Sequence, residues 1–158
     1  PHFYLDFEAT GFSPECWPTE IGVTGAGFEI HHFIKPAPTW THWSDTQAEI
    51  QAEQSGQEKI TREYLEQFGT SIAWLANQLN VKLAGQTVFC DAYQDIGLMD
   101  MIFSEAGVAR SFALVNVMEG WEREMINDFE RLAAEKKTHR ALGDARAIKH
   151  AHEFMIPF

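Results

Sequence analysis

Phe3-Tyr4-Leu5-Asp6-Phe7-Glu8-Ala9-Thr10-Gly11-Phe12 is the stretch on which the reading of this chain turns. Residues 2–9 have the composition of a strand that is apolar and aromatic on both faces, as a central strand should be. Alternate residues of a strand share a face, so Asp6 and Glu8 project together from an apolar segment. Two adjacent carboxylates repel each other and lose hydration unless positive charge sits between them. A divalent cation supplies it, and oxygen ligands suit magnesium or manganese. A strand end facing solvent would carry the same Asp-x-Glu, so the pair alone leaves both readings open.

Outward from this strand, Gly11 to Pro18 reads as a loop. Thr19–Gly25 and Gly27–Lys35 read as two strands of a hairpin joined at Gly25-Ala26-Gly27. Pro36 to Trp43 is a Pro- and Trp-rich connection. Ser44-Asp45-Thr46-Gln47 has the spacing of a capping box that opens a short polar helix. Leu65, Phe68, Ile72, Leu75 and Leu79 recur at three- and four-residue intervals, which predicts one helix from Thr61 to about Asn80. Thr87–Cys90 is a short strand, Asp95–Ala106 a helix stopped by Gly107, and Phe112–Val115 the last strand. Trp121, Met125, Phe129 and Leu132 mark one more helix face. Leu142, Ala145, Ile148, His152 and Met155 mark the final one. The main elements run β-β-β-α-β-α-β-α-α without repeat or linker. This is one mixed α/β domain, with helices packed on a sheet that begins with a hairpin.

The second chemical signal is His139-Arg140-Ala141-Leu142-Gly143-Asp144-Ala145. Within one helix, His139 and Asp144 would point about 140° apart at 100° per residue. His139 therefore belongs to the loop before the helix, and Asp144 to its first turns. A fixed carboxylate there can bind metal while an imidazole takes a proton from water.

Asp6-Phe7-Glu8-Ala9-Thr10-Gly11-Phe12, with Glu20-Ile21-Gly22, resembles the first motif of the DEDDh family of 3′–5′ exonucleases, which includes polymerase proofreading subunits, RNase T and oligoribonuclease. His139 to Arg146 is similar to the family's third motif. The two lie near opposite ends of the chain in the family's order. In Phe89-Cys90-Asp91-Ala92-Tyr93-Gln94-Asp95-Ile96-Gly97-Leu98, aligning Leu98 makes Asp95 the second-motif acid. Asp91 then stands where the family tends to have Asn, and Gln94 where it usually has an aromatic. Asp91 stays open as a competitor or helper of Asp95.

The resemblance implies an RNase H-like mixed five-stranded sheet flanked by helices, forming a single exonuclease domain over residues 1–158. It implies hydrolysis of phosphodiester bonds at the 3′ ends of single-stranded DNA or RNA by a two-metal mechanism. Asp6, Glu8, Asp95 and Asp144 would hold two Mg²⁺ or Mn²⁺ ions, and His139 would act as general base. Ala9, Thr10, Gly11 and Phe12 would meet the terminal nucleotide, with Phe12 stacked on its base. The alternative is an inactive relative that binds nucleic acid or a partner protein. Against it, clustered carboxylates bring a binder no advantage.

The 158 residues suit one domain, and 45% apolar with 22% charged residues excludes a disordered chain. No apolar run approaches the roughly 20 residues of a membrane span. Two cysteines, Cys16 and Cys90, are too few for a disulfide framework, and a cytoplasmic setting is expected. The net charge of −11 opposes general nucleic-acid binding through Lys and Arg. It favours a short substrate with metal-supplied charge or a subunit whose basic partner brings affinity; the resemblance also allows a homodimer, as many relatives are dimers. Arg110, Lys136, Lys137, Arg140 and Arg146 are the candidate phosphate contacts. Trp74 and Trp121 are expected in the core, while Trp17 is balanced between core and base stacking. His31-His32 and His150/His152 are expected to be structural or exposed, and Met99-Asp100-Met101 to pack a helix.

Overall fold

In the computed structural model, which describes residues 2–25 and 27–156, Phe3–Ala9 forms the first strand, β1. Pro18–Gly25 (β2) and Phe28–Phe33 (β3) follow as an antiparallel hairpin. Ala26, in the expected turn, lies outside the described residues. Three helices come next, Asp45–Ser55 (α1), Arg62–Phe68 (α2) and Ile72–Leu83 (α3). Thr87–Cys90 (β4), Tyr93–Ala106 (α4), Ala113–Asn116 (β5), Arg123–Ala134 (α5) and Ala141–Met155 (α6) complete the chain. The sheet order is β3-β2-β1-β4-β5, with β1 antiparallel to β2 and parallel to β4, and β4 parallel to β5. This is the expected mixed five-stranded sheet flanked by helices, with β1 at its centre. No helix among the described residues is long and apolar enough to cross a membrane.

The alternation of β1 divides the molecule. Phe3, Leu5, Phe7 and Ala9 enter the larger core with Leu75, Leu79, Met99 and Ile102 of α3 and α4. Tyr4 faces the other way, into a smaller core with Phe129 of α5 and Ile148 and Ala151 of α6. Asp6 and Glu8 follow Tyr4 on that second face because strand side chains alternate.

One expected helix is two. The apolar stripe from Thr61 to Asn80 is interrupted at Gly69-Thr70-Ser71, where the chain touches the sheet edge. The Thr70 N–H donates to the Phe33 carbonyl (2.7 Å), and the Lys35 N–H donates to the Thr70 carbonyl (3.0 Å). A β-carbon on Gly69 would collide with the Ile34–Lys35 backbone. Ser71 then caps α3 by accepting from the Trp74 N–H (3.2 Å). Leu65 of α2 and Ile72, Leu75 and Leu79 of α3 enter the same core on either side of the break, whereas Phe68, on the expected stripe, is 62% exposed. The element order is therefore β-β-β-α-α-α-β-α-β-α-α. Smaller differences concern ends: α4 starts two residues before Asp95, and Trp121 precedes α5 and packs on Phe129. The Ser44 cap holds, accepting from the Gln47 N–H (3.1 Å), and Gly107 ends α4 in the left-handed region.

Helix α6 sits on β1 and β2 at one tight point. Gly22, opposite Asp6 in the ladder, has the backbone of Ala141–Leu142 where a β-carbon would be. Its neighbour Glu20 accepts the Ala141 N–H (3.2 Å) at the start of the helix. Gly22→Ala should cost about 1–3 kcal/mol, because backbone cannot move aside as a side-chain tip can. Urea denaturation measures it, and a neutral result would mean that α6 tolerates displacement.

Candidate active site

Four acidic side chains and His139 line one cleft, together with Ala9, Gly11, Phe12, Gln47, Gln51, Gln54, Gln94 and Lys137. Asp6 and Glu8 come from β1, Asp95 from the first turn of α4 and Asp144 from the first turn of α6. Ligand oxygens of Asp6, Glu8 and Asp144 lie within 4.8 Å of one another, as do those of Asp6, Asp91 and Asp95. Asp6 is common to both groups.

Burial makes this arrangement costly without cations. Desolvation, then the Asp95 charge, holds the Asp6 carboxyl well above its ordinary range. Asp95 is only 3% exposed, and burial followed by the Asp91 charge raises it as well. Its Oδ2 is buried and accepts no hydrogen bond, an arrangement that normally costs free energy. Glu8 is pushed up to about 8, first by burial and then by Asp144 and Glu20. Oxygen-only donors, one of them an orphaned buried carboxylate oxygen, fit a hard divalent cation such as Mg²⁺ or Mn²⁺.

The His139 loop is built around Asp144. Its Oδ1 accepts the N–H groups of Thr138 (2.7 Å) and His139 (3.0 Å), and Asp144 lies at the helix N-terminus where an anion is favoured. His139 has φ 57°, a left-handed conformation rare outside glycine. It is half-buried, on the loop before α6, where the sequence places it.

Gln94, at the position where an aromatic is usual in the resembling family, donates from Nε2 to the Gly11 carbonyl (2.7 Å). That bond ties α4 to the loop carrying Phe12, whose ring is 85% exposed beside the cleft. Ala9 and Gly11 line the cleft. Thr10 is buried, and its hydroxyl is taken by His42 Nδ1 (3.0 Å) and the Trp17 N–H (3.2 Å).

Several residues differ from the sequence reading or were missed by it. Trp17 is fully buried, donates to the His42 carbonyl (2.6 Å) and stacks on Trp40, so it belongs to the core. Trp74, expected in the core, is 47% exposed and lies edge-on to His32. Arg146 pairs with Glu29, and Arg110 with Asp100. Arg140 is buried, bonded to Gln57 and the Glu58 carbonyl. Of the candidate phosphate contacts, Lys137 enters the cleft, with Nζ 2.9 Å from Asp91 Oδ2. Gln51 and Gln54 of α1 also line the cleft, as does Gln47, which the sequence marks only as part of a helix cap. Gln51 Nε2 donates to the Ala9 carbonyl (2.9 Å) and reaches Glu8 Oε2 (3.4 Å). The signal was their i, i+4, i+7 spacing on a helix without an apolar stripe.

No family model matches the sequence, and no curated protein does. Solved structures match over nearly the whole chain. E. coli exonuclease I, in a zinc-bound complex with single-stranded DNA, shares 14% identity at a TM-score of 0.66, over 99% of this chain and 41% of its own. Exonuclease I from Methylocaldum szegediense shares 16% at a TM-score of 0.61, over 98% of this chain and 40% of its own. Another exonuclease I structure reaches a TM-score of 0.69 at 14% identity, over 97% of this chain and 40% of its own. The fold is thus the RNase H-like fold of the exonuclease I exonuclease domain, and at this identity the likeness is one of fold. The chain spans about two fifths of the length of the structures it matches.

The raised carboxyls have a consequence for stability. Between the ordinary carboxylate range and about 8, the folded chain holds a proton on Glu8 that the unfolded chain has lost, and burial shifts Asp6 and Asp95 in the same direction. Stability should therefore fall as pH rises through that window. In EDTA the melting temperature should drop between pH 5 and about pH 8, and Mg²⁺ or Mn²⁺ should restore it at the upper end. A flat profile that ignores metal would contradict the electrostatics of the cleft.

Proposed function

We propose that this chain is a metal-dependent 3′–5′ exonuclease acting on single-stranded DNA or RNA. The observation that carries the reading is the convergence of Asp6, Glu8, Asp95, Asp144 and His139 in one cleft, with Asp95 Oδ2 buried and unpartnered. Asp6, Glu8, Asp95 and Asp144 hold the divalent ions, two in number. When bound, these ions balance the carboxylates and supply Lewis acidity toward the scissile phosphodiester.

The protein's own groups do the rest. His139 accepts the proton of the attacking water at a ring nitrogen, and its backbone is fixed for this by Asp144 Oδ1. Asp144 thus serves as ligand and as anchor of the base. Phe12 stacks on the terminal base, which is compatible with any base identity. The Gln94 bond to the Gly11 carbonyl holds the Phe12 loop to α4, so the stacking platform and Asp95 move as one unit. The glutamines of α1 close the cleft with neutral amides, which add no further negative charge opposite a phosphate.

The fold shared with exonuclease I and the solution of such enzymes with single-stranded DNA support the substrate class. The net charge of −11 fits an enzyme whose grip on phosphate is local, with cations at the scissile bond.

Incubation with 5′-labelled single-stranded DNA and RNA, in Mg²⁺, Mn²⁺ or EDTA, should give a 3′-shortened ladder that EDTA abolishes. Asp6→Asn and Asp95→Asn should each eliminate it. Asp91→Asn should be mild, since it keeps an oxygen in place and removes one like charge. Full activity in Asp6→Asn, or a dead Asp91→Asn beside an active Asp95→Asn, would refute this assignment. His139→Ala should lower turnover by about 10²–10⁴-fold while leaving metal binding intact. Equal loss of both would assign the histidine a structural role.

A further inference from the structure

The two groups of carboxylates that meet at Asp6 are not electrostatically equivalent, and Lys137 is the reason. The group formed by Asp6, Glu8 and Asp144 has no ammonium bonded to any of its ligand oxygens in the described residues, although Gln51 and backbone N–H groups approach it. The group formed by Asp6, Asp91 and Asp95 carries a fixed cation, because Lys137 Nζ sits 2.9 Å from Asp91 Oδ2. Lys137 is half-buried and lines the same cleft as the catalytic acids. It comes from the segment immediately before Thr138 and His139, whose N–H groups are pinned to Asp144. The lysine is therefore delivered to Asp91 by the same loop that delivers the base. Asp95, in the same group, has a buried oxygen without a partner, so this side of the cleft is prepared for a ligand that Lys137 does not satisfy.

We propose that Lys137 is a built-in competitor of the second cation. Its ammonium occupies the charge position beside Asp91 until a divalent ion displaces it, so the two ions load in order. The first enters at Asp6, Glu8 and Asp144 with no ion pair to break. The second enters between Asp6 and Asp95, beside Asp91, only when the Lys137–Asp91 pair opens. The released ammonium then lies in the cleft with its charge free for the incoming phosphate chain, so arrival of substrate and of the second ion favour each other. This rests on the nuclease reading above and adds an order of assembly to it.

The test is calorimetric titration of the whole chain with MnCl₂, in the absence of nucleic acid. Wild type should bind one ion tightly and a second at least tenfold more weakly. Lys137→Met should strengthen the second step by about tenfold or more, leaving the first within about threefold. Lys137→Gln, which keeps a hydrogen bond to Asp91 without the charge, should do the same and covers the case in which the methionine variant fails to fold. Lys137→Arg should keep the weak second step. An unchanged or weakened second step in Lys137→Gln would overturn the proposal, as would equal strengthening of both steps. Two equal sites in wild type would overturn the ordering while leaving the nuclease reading intact. Absence of Mn²⁺ binding in every variant would remove both.

Discussion

The close seating of α6 on the sheet at Gly22 is the constraint on which the rest of the cleft depends. Asp6 stands opposite Gly22 and Glu8 opposite Glu20, on the face that α6 covers. Because Gly22 has no β-carbon, the Ala141–Leu142 backbone comes down onto β2. Glu20 then accepts the first helical N–H and fixes the depth of the helix end. One turn further on, Asp144 is brought against Asp6 and Glu8. Its carboxylate gathers the Thr138 and His139 amides, so His139 and Lys137 arrive by the same fold of the chain. A residue with no side chain thereby sets the position of the most highly charged part of the molecule.

That seating is bought against electrostatics. Asp6, Asp95 and Glu8 are all pushed above their ordinary range, and burial is the leading cause each time. The rest of the molecule offsets it with two apolar cores, one under each face of β1. Strain in the cleft also includes the left-handed backbone of His139 and the orphaned oxygen of Asp95. Both are local costs of the kind that cluster at ligand-binding sites.

The loop after β1 shows how a departure from a familiar motif is accommodated. Gln94 does by a hydrogen bond to the Gly11 carbonyl what a ring would do by packing. Trp17 and Trp40 form a buried stack beneath the same loop, with the half-buried Trp43 tilted against Trp17 and Trp17 bonded to the His42 carbonyl. The aromatic wealth of this region thus supports the loop, and Phe12 alone of its rings is turned wholly outward.

The sequence by itself determined what depends on local spacing. Strand alternation put Asp6 and Glu8 on one face, the five-residue interval kept His139 off the helix of Asp144, and Ser44 and Gly107 marked helix ends through their own backbone preferences. The likeness of two motifs carried the fold, while Asp95 and Asp91 differ in surroundings: Asp95 is buried with an unpartnered oxygen, and Asp91 is half-buried and paired with Lys137. What tertiary structure alone decided are contacts between residues far apart in the chain. The break at Gly69 depends on the edge of β3, which no helical period registers. The burial of Trp17 depends on Trp40 and His42, and the exposure of Trp74 on a neighbour, His32, that covers one edge only. The pairing of Lys137 with Asp91 crosses 46 positions, and Gln51 of α1 reaches Glu8 across 43. Side-chain type is written locally, whereas its partner is fixed by which elements the sheet order brings side by side.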